Sequence, residues 1–281
     1  MSIKICADTT CDLPEHLLRR WNIDTIPLYV VKNGEAFRDN VDITTADIFA
    51  HVAAGGALCS TSAVSEADYD AFFKKQLETC DGVVHVTISS DMSACYQNAC
   101  RAARRVGNVR VVDSRNLSVG EGLIVLKGAR MAAEGGHTLD EIADAMEALI
   151  PKVDCSFVID KLDYLRKGGR CSPLAALGAN VLGLKPCIAV RDGAMLVEKK
   201  YRGKFDKVLL SYVEDKLAAD DTIDPSFLFV VHTTLNDGVY ESVVEKCAAA
   251  RTFDEVEEAD AGCTIACHCG PNTLGVLFIR K

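Results

Sequence analysis

The first 150 residues alternate short apolar runs with amphipathic segments, and this order constrains the fold more than any other feature of the chain. Predicted strands at residues 3–7, 83–88 and 109–112 are each followed by a segment of helical character, and the predicted strand at residues 26–31 leads through the hairpin turn Asn33-Gly34 into a short partner. Such an alternation of strand and helix is typical of a mainly parallel sheet flanked by helices. The sequence therefore predicts a Rossmann-like α/β domain at residues 1–150.

The pattern changes after Pro151. Two apolar runs, at residues 186–190 and 195–198, flank Asp192-Gly193, a dipeptide that is a strong hairpin signal. A hairpin together with helices favours an α+β domain with a mixed or antiparallel sheet. We therefore predict a second domain at residues 151–281, with the boundary near residue 150.

Charge and hydropathy exclude several classes of function. The 281 residues carry a net charge of −9 and no block of Lys and Arg, so nucleic acid is not an expected partner. No apolar stretch approaches the roughly 18 residues of a transmembrane helix. The N-terminal residues read as a first strand and not as a signal peptide. We therefore expect a cytoplasmic protein.

The turn after the run at residues 83–88 places hydroxyls at the start of a predicted helix, at Ser90 and Ser93. Free N–H groups and the positive end of a helix dipole meet at such a turn, which suits an anion. In open α/β sheets, ligands also bind beyond the carboxyl ends of strands. Helix capping explains these hydroxyls equally well and is the simpler interpretation when the turn is considered alone.

Three further polar clusters are expected outside regular elements, and they add hydroxyls, an imidazole and a guanidinium: Ser60-Thr61-Ser62, Lys167-Gly168-Gly169-Arg170, and Cys267-His268-Cys269-Gly270-Pro271. These groups are what a carboxylate or phosphate needs for several short hydrogen bonds. Each cluster also has a structural explanation. Thr61 can cap a helix, His268 can lie in a loop, and Arg170 can pair with a helix C-terminus.

The 13 cysteines are an odd number in a chain of ordinary globular length, whereas a secreted disulfide framework is shorter and evenly paired, and most of them lie among apolar residues. Cys263, Cys267 and Cys269 with His268 could supply metal ligands. However, the two separated cysteine pairs of common zinc sites are absent, and Cys267 and Cys269 would point to opposite sides of an extended segment. No metal is therefore predicted, and the role of these cysteines stays open.

An ordered set of motifs runs through nearly the whole chain: Asp8 to Leu13, Thr61 to Ser65, Ser93 to Gln97, Asp113-Ser114 with Ser118, Gly120 and Gly122, Tyr164 to Arg170, Leu184 to Pro186, and His268 to Asn272. This set resembles the DegV family, the bacterial fatty-acid-binding components of fatty acid kinase systems. Ala94 departs from the pattern, because the family has Gly at that position.

The resemblance implies that a long-chain fatty acid lies in a tunnel between the two domains. Its carboxylate would accept hydrogen bonds from Thr61, Ser93 and His268. The resemblance also assigns residues to a secondary ligand or partner-facing site: Ser62, Ser90, Ala94, Arg170 and Gly270. The apolar stretch from Leu174 to Leu184 is a candidate tunnel wall, although ordinary helix packing explains it as well.

On this interpretation the chain does no chemistry and needs no cofactor. A separate ATP-dependent fatty acid kinase would phosphorylate the bound acid, and this protein would carry the acyl phosphate. Transient contact with a membrane surface is left open.

A serine hydrolase acting on a lipid ester is the main alternative. Ser93 and His268 could form a triad with Asp8 or Asp113. The segment around Ser93 lacks the glycines of a G-x-S-x-G elbow, which disfavours this alternative. A nucleotide-binding enzyme is weaker still, because no complete glycine-rich phosphate loop occurs. A redox or metal protein using the cysteines from 263 to 269 is the third alternative.

Overall fold

The computed structural model describes residues 2–171, 183–218 and 220–281. Residues 174–182 of the expected tunnel wall lie outside these ranges, and Leu184 begins a strand. The strands, in chain order, are β1 Ile3–Asp8, β2 Asp24–Ile26, β3 Tyr29–Lys32, β4 Glu35–Arg38, β5 Ser60–Ser62, β6 Gly82–Thr87, β7 Val109–Asp113, β8 Val153–Asp154, β9 Ser156–Ile159, β10 Leu184–Arg191, β11 Ala194–Arg202, β12 Ile223–His232, β13 Glu255–Asp260 and β14 Thr273–Arg280.

The helices of the described residues are α1 Glu15–Arg20, α2 Thr45–Ala53, α3 Glu66–Leu77, α4 Cys95–Val106, α5 Val119–Glu134, α6 Leu139–Leu149, α7 Leu162–Gly168, α8 Phe205–Leu217, α9 Val239–Ala250 and α10 Cys263–Cys269. Short 3₁₀ turns lie at Thr9–Cys11 and Ile150–Lys152. Within the part of the chain described here, no helix combines the length and the apolar character that a bilayer-spanning helix needs.

The N-terminal half contains a parallel sheet with strand order β2-β1-β6-β7. Every residue of β6 is buried, which is the pattern of a parallel strand covered on both faces. Helices α3 and α4 pack together beside this sheet, as do α5 and α6. This arrangement confirms the predicted α/β class.

The sequence suggested that residues 26–31 form one strand, but the structure shows two. This segment splits at Pro27 into β2 and β3, and β3 joins a small antiparallel sheet of order β4-β3-β5. Proline lacks the N–H that a ladder requires, so the chain leaves the first sheet there. Thr61 and Ser62 were expected in a loop but lie in β5, where Thr61 pairs with Val30.

The C-terminal half builds a mixed sheet of order β11-β10-β9-β14-β12-β13, with β8 also paired to β14. Only β12 and β13 pair in parallel among these neighbours, so the predicted mixed or antiparallel sheet is confirmed. The hairpin β10–β11 turns at Asp192 and Gly193, with φ angles of 49° and 83°. One hydrophobic core joins the two halves, including Ile5 and Leu277, and the domain boundary near residue 150 stays a prediction.

Helix α10 connects the C-terminal half of the sequence to the N-terminal half of the structure. Residues 267–271 were expected outside regular elements, but Cys267, His268 and Cys269 complete this helix, which ends at Gly270 with φ 76°. Helix α10 contacts α2, β3, β5 and α7. Side chains on α10 therefore face groups contributed by the first 62 residues.

Candidate ligand-binding site

A cavity of about 270 Å³ lies beyond the carboxyl ends of the parallel strands. Leu28, Ile88 and Leu117 line it, and they follow β2, β6 and β7 respectively. This is where open α/β sheets usually bind ligands. Further apolar lining residues include Met92, Met195 and Ile265. The polar residues that line the cavity are Thr61, Ser62, Ser93, Arg170, Thr264 and His268.

Thr61 and His268 meet at this cavity. Their Oγ1 and Nε2 atoms lie 2.8 Å apart, and the other ring nitrogen of His268 is buried without a partner among the described residues. The neighbouring backbone is close, because a Cβ at Gly168 would collide with Nδ1. Burial, and secondarily the positive charge of Arg170, lower the pKa of His268 to about 4. The imidazole is therefore neutral near pH 7 when the cavity holds no ligand.

Ser93 lies half-buried just before α4. Its hydroxyl donates to Sγ of Cys95 at 3.2 Å and accepts the backbone N–H of Cys95 at 3.3 Å. The helix begins at Cys95, two residues later than the sequence suggested, and Ala94 is its N-cap. Ala94 has φ −79°, so this turn has no need of the glycine that the family pattern carries.

Arg170 lies at the exposed rim of the cavity, just after α7. Its guanidinium donates to the carbonyl oxygens of Gly168 at 2.7 Å and Met92 at 3.3 Å. These bonds hold the cation beside the cavity opening. Ser62 and Ala94 are also exposed lining residues, so three of the five secondary residues border the cavity.

Ser90 and Gly270 do not line the cavity. The Ser90 hydroxyl accepts a hydrogen bond from Arg115 at 3.1 Å, and its backbone N–H donates to Asp113 at 3.1 Å. Gly270 ends α10, where a Cβ would lie 2.6 Å from the Tyr164 ring. The structure therefore gives Gly270 a packing and turn role.

Thr264 is a lining residue that the sequence reasoning missed. The residue is 4% exposed, and its hydroxyl has no hydrogen-bond partner in residues 2–171, 183–218 and 220–281. It precedes His268 by four positions, which places both on one face of α10. The i, i+4 spacing would have revealed Thr264 if this segment had been recognised as a helix.

The aspartates considered for a catalytic triad are engaged elsewhere. Asp8 accepts hydrogen bonds from the Tyr69 hydroxyl at 2.6 Å and the Ile88 N–H at 3.2 Å, and it lies 3.2 Å from Nε2 of His85. Asp113 accepts the backbone N–H groups of Ser90 and Arg115. Across the described ranges, neither aspartate is bonded to His268, and Ser93 is bonded to Cys95.

The cysteines of α10 are buried thiols. Sγ of Cys263 lies 3.2 Å from both the side-chain oxygen of Asn40 and the carbonyl oxygen of Ile43, and burial raises its pKa to about 12. Cys267 packs with Cys59, whereas Cys269 lines the cavity. No group of three or more His, Cys, Asp or Glu side chains in the described residues is arranged to hold a metal ion.

The sequence profile described as "Uncharacterised protein, DegV family" matches residues 2–281. The chain belongs to the DegV family. The resemblance inferred from the motifs is thereby confirmed. A DegV domain-containing protein of Clostridium acetobutylicum is 31% identical over 283 residues, which cover 99% of each chain.

Two solved structures have the same fold over nearly the entire chain. One is a fatty-acid-binding DegV family protein from Thermus thermophilus. It has a TM-score of 0.88 at 28% identity, and the match covers 100% of both chains. A stearic acid-binding protein from Eubacterium ventriosum has a TM-score of 0.84 at 26% identity, covering 99% of this chain and 98% of that one.

Proposed function

We propose that this DegV protein binds a long-chain fatty acid, with the carboxylate at Thr61, Ser93 and His268 and the hydrocarbon tail along the apolar wall. The observation that carries the proposal is the Thr61–His268 pair, which faces an otherwise largely apolar cavity. The ligands named for the Thermus and Eubacterium proteins support the same class of ligand.

The head group needs donors, because a carboxylate removed from water without hydrogen bonds becomes protonated. Thr61 and Ser93 carry hydroxyl donors, and the one ring N–H of neutral His268 can be shared between the Thr61 oxygen and the carboxylate. Arg170 adds a positive charge at the rim without occupying the cavity interior. Each hydrogen bond to a charged group is worth about 1.5–3 kcal/mol.

The tail supplies the larger share of the affinity. Each methylene removed from water contributes about 0.8 kcal/mol, so ten contribute roughly 8 kcal/mol before ordering costs. The described cavity, at about 270 Å³, lies just below the roughly 300–1,000 Å³ that is common for small-molecule sites. A long acyl chain therefore needs more room than the described part of this cavity provides.

The protein acts, in this proposal, as a carrier that needs no cofactor. A separate ATP-dependent fatty acid kinase transfers a phosphoryl group to the presented carboxylate, and the chain carries the resulting acyl phosphate. The exposed positions of Arg170, Ser62 and Ala94 at the rim support a surface where head group and partner meet. The added phosphoryl charge would lie nearest to Arg170.

Native mass spectrometry of the recombinant protein tests ligand binding directly. We expect a non-covalent adduct with the mass of a long-chain fatty acid, lost when the protein is delipidated and restored by palmitate. Absence of an adduct, together with no palmitate binding in calorimetry, would contradict the proposal. Covalent labelling of Ser93 by a fluorophosphonate would favour the hydrolase instead.

A further inference from the structure

Two buried carboxylates from the N-terminal half of the chain hold the start of α10, the helix that carries His268. Oδ1 of Asp12 accepts the N–H of Gly262 at 3.0 Å. Asp39 accepts the N–H of Cys263 at 2.9 Å and the N–H of Thr264 at 3.1 Å. Three consecutive backbone donors at one end of α10 are thus satisfied by residues more than 220 positions away.

These contacts suit a helix N-terminus. The first N–H groups of a helix lack partners within the helix, and the side-chain oxygens of Asp12 and Asp39 supply the missing acceptors. No side chain of α10 or of its N-cap residue Gly262 makes this cap. The docking of α10 therefore depends on Asp12 and Asp39.

Other side chains hold both carboxylates in place. The Ser118 hydroxyl donates to Oδ2 of Asp12 at 2.5 Å, and the Thr9 hydroxyl donates to Oδ2 of Asp39 at 3.3 Å. Asp39 is 0% exposed and Asp12 is 8% exposed. The two aspartate side chains are consequently fixed to the 3₁₀ turn after β1 and to the start of α5 as well as to α10.

The start of α10 also lies very close to its neighbours in the N-terminal half. A Cβ at Gly262 would lie 2.9 Å from Oδ1 of Asp12 and 2.8 Å from the side-chain nitrogen of Asn40. Only glycine fits between these groups without a shift. The start of α10 therefore has one well-defined position relative to β1 and the turn after β4.

We propose that Asp12 and Asp39 are positioning residues that set where His268 stands relative to Thr61. The inference rests on the proposed function. Six residues of helix separate Gly262 from His268, roughly 9 Å along the axis. A tilt of about 10° at the start of α10 would move the imidazole by roughly 1.5 Å, enough to break a 2.8 Å hydrogen bond.

A double-mutant cycle with palmitate as the probe tests the proposal. Asp39→Asn keeps the size of the side chain but leaves one oxygen to accept two N–H groups. We expect this variant to bind palmitate about ten-fold more weakly than the parent. In a His268→Ala background, Asp39→Asn should change affinity by less than about two-fold, because the group being positioned is gone.

Glu141→Gln is the matched control. Glu141 completes the capping box of α6 with Thr138 and does not line the cavity, so its replacement should leave affinity unchanged. Should Asp39→Asn fail to fold, Ser118→Ala removes the hydroxyl that holds Asp12 and enters the same cycle.

An equal loss of affinity in both backgrounds would overturn the positioning role and mark the aspartates as general stabilisers of the fold. The positioning role would also be overturned if Asp39→Asn left palmitate affinity unchanged in the parent background. If His268→Ala alone bound palmitate like the parent, the head-group assignment in the proposed function would fail first, and the positioning role with it.

Discussion

Oγ1 of Thr61 and Nε2 of His268 lie 2.8 Å apart, although 207 positions separate the two residues in the sequence. Nδ1 of His268 has no partner in the described residues, and an orphaned N–H is rarer in proteins than an orphaned acceptor. The pair therefore favours the tautomer with the proton on Nε2, which donates to Thr61. The Thr61 hydroxyl proton is then free to point to an anion in the cavity.

Removal of the Thr61 hydroxyl should weaken fatty acid binding. Thr61→Val keeps the shape of the side chain but loses the donor, so we expect palmitate affinity to fall roughly ten- to hundred-fold. Thr61→Ser should retain most of the affinity. Calorimetry on delipidated protein measures both. Ser60→Ala, on the same strand but away from the cavity lining, is the control and should bind like the parent.

The hydroxyls of Ser90 and Ser93, which the sequence placed at one turn, have different surroundings in the structure. Ser93 lines the cavity, whereas the Ser90 hydroxyl bonds to Arg115. Ser93→Ala should therefore lower palmitate affinity about ten-fold, with a loss of stability of about 1 kcal/mol because it also accepts the Cys95 N–H. Ser90→Ala should leave affinity unchanged. Equal effects of the two substitutions on calorimetric affinity would contradict this assignment.

Thr264 is expected to contribute a hydrogen bond to the ligand. Its buried hydroxyl lacks a partner among the described residues and shares a helix face with His268. Thr264→Val should lower palmitate affinity several-fold and raise the free energy of unfolding of the delipidated protein, because an unsatisfied buried hydroxyl is removed. Calorimetry and chemical denaturation measure the two effects. Tighter palmitate binding by the valine variant would place Thr264 beside the acyl tail instead.

Local signals in the sequence were sufficient for two hairpin turns and for an interior strand of the parallel sheet. Asn33-Gly34 and Asp192-Gly193 form the predicted hairpins, with positive φ at all four residues. The largely apolar run at residues 83–88 supplies most of β6, an interior strand of the parallel sheet. In these cases the residues that decide the structure are neighbours in the chain.

Helix α10 could not be predicted because its determinants are distant. It has seven residues, too few for an isolated helix to be stable, and β-branched residues occupy positions 264 and 265. Asp12 and Asp39 supply its N-terminal cap from far away in the sequence. The contribution of Thr264 to the cavity was missed for the same reason. Only the family resemblance assigned His268 to the carboxylate.

Glu121 should be a source of pH-dependent instability. It is fully buried in α5, accepts the Thr10 hydroxyl at 3.0 Å, and its other oxygen has no partner among the described residues. Burial, reinforced by Asp8, holds the pKa of this carboxyl well above its ordinary value of 4.5. The contribution of protonated Glu121 to the free energy of unfolding is therefore complete below pH 4.5. It is lost as the pH rises above 4.5, because Glu121 then ionises in the unfolded chain.

Glu121→Gln should consequently stabilise the protein at neutral pH, on the order of 1 kcal/mol. The difference in free energy of unfolding between variant and parent should grow from pH 5 to pH 8, as measured by urea denaturation at each pH. Glu147→Gln, a substitution at an exposed position on α6, provides the control. A difference between the Glu121→Gln variant and the parent that stays constant with pH would show that Glu121 is ionised in the fold.

His268 should give the opposite pH dependence. Its pKa is about 4 in the folded protein and 6.5 ordinarily, so the unfolded chain binds more protons between these values. Stability is complete above pH 6.5 and falls as the pH drops towards 4, by at most roughly 3 kcal/mol. His268→Gln cannot take up this proton.

Denaturation of delipidated protein at pH 7.5 and 4.5 should therefore show a larger stability loss for the parent than for the His268→Gln variant. Delipidation is essential, because a bound carboxylate would favour the imidazolium and raise the pKa of His268. Equal losses would mean that the imidazole is already solvated in the folded protein.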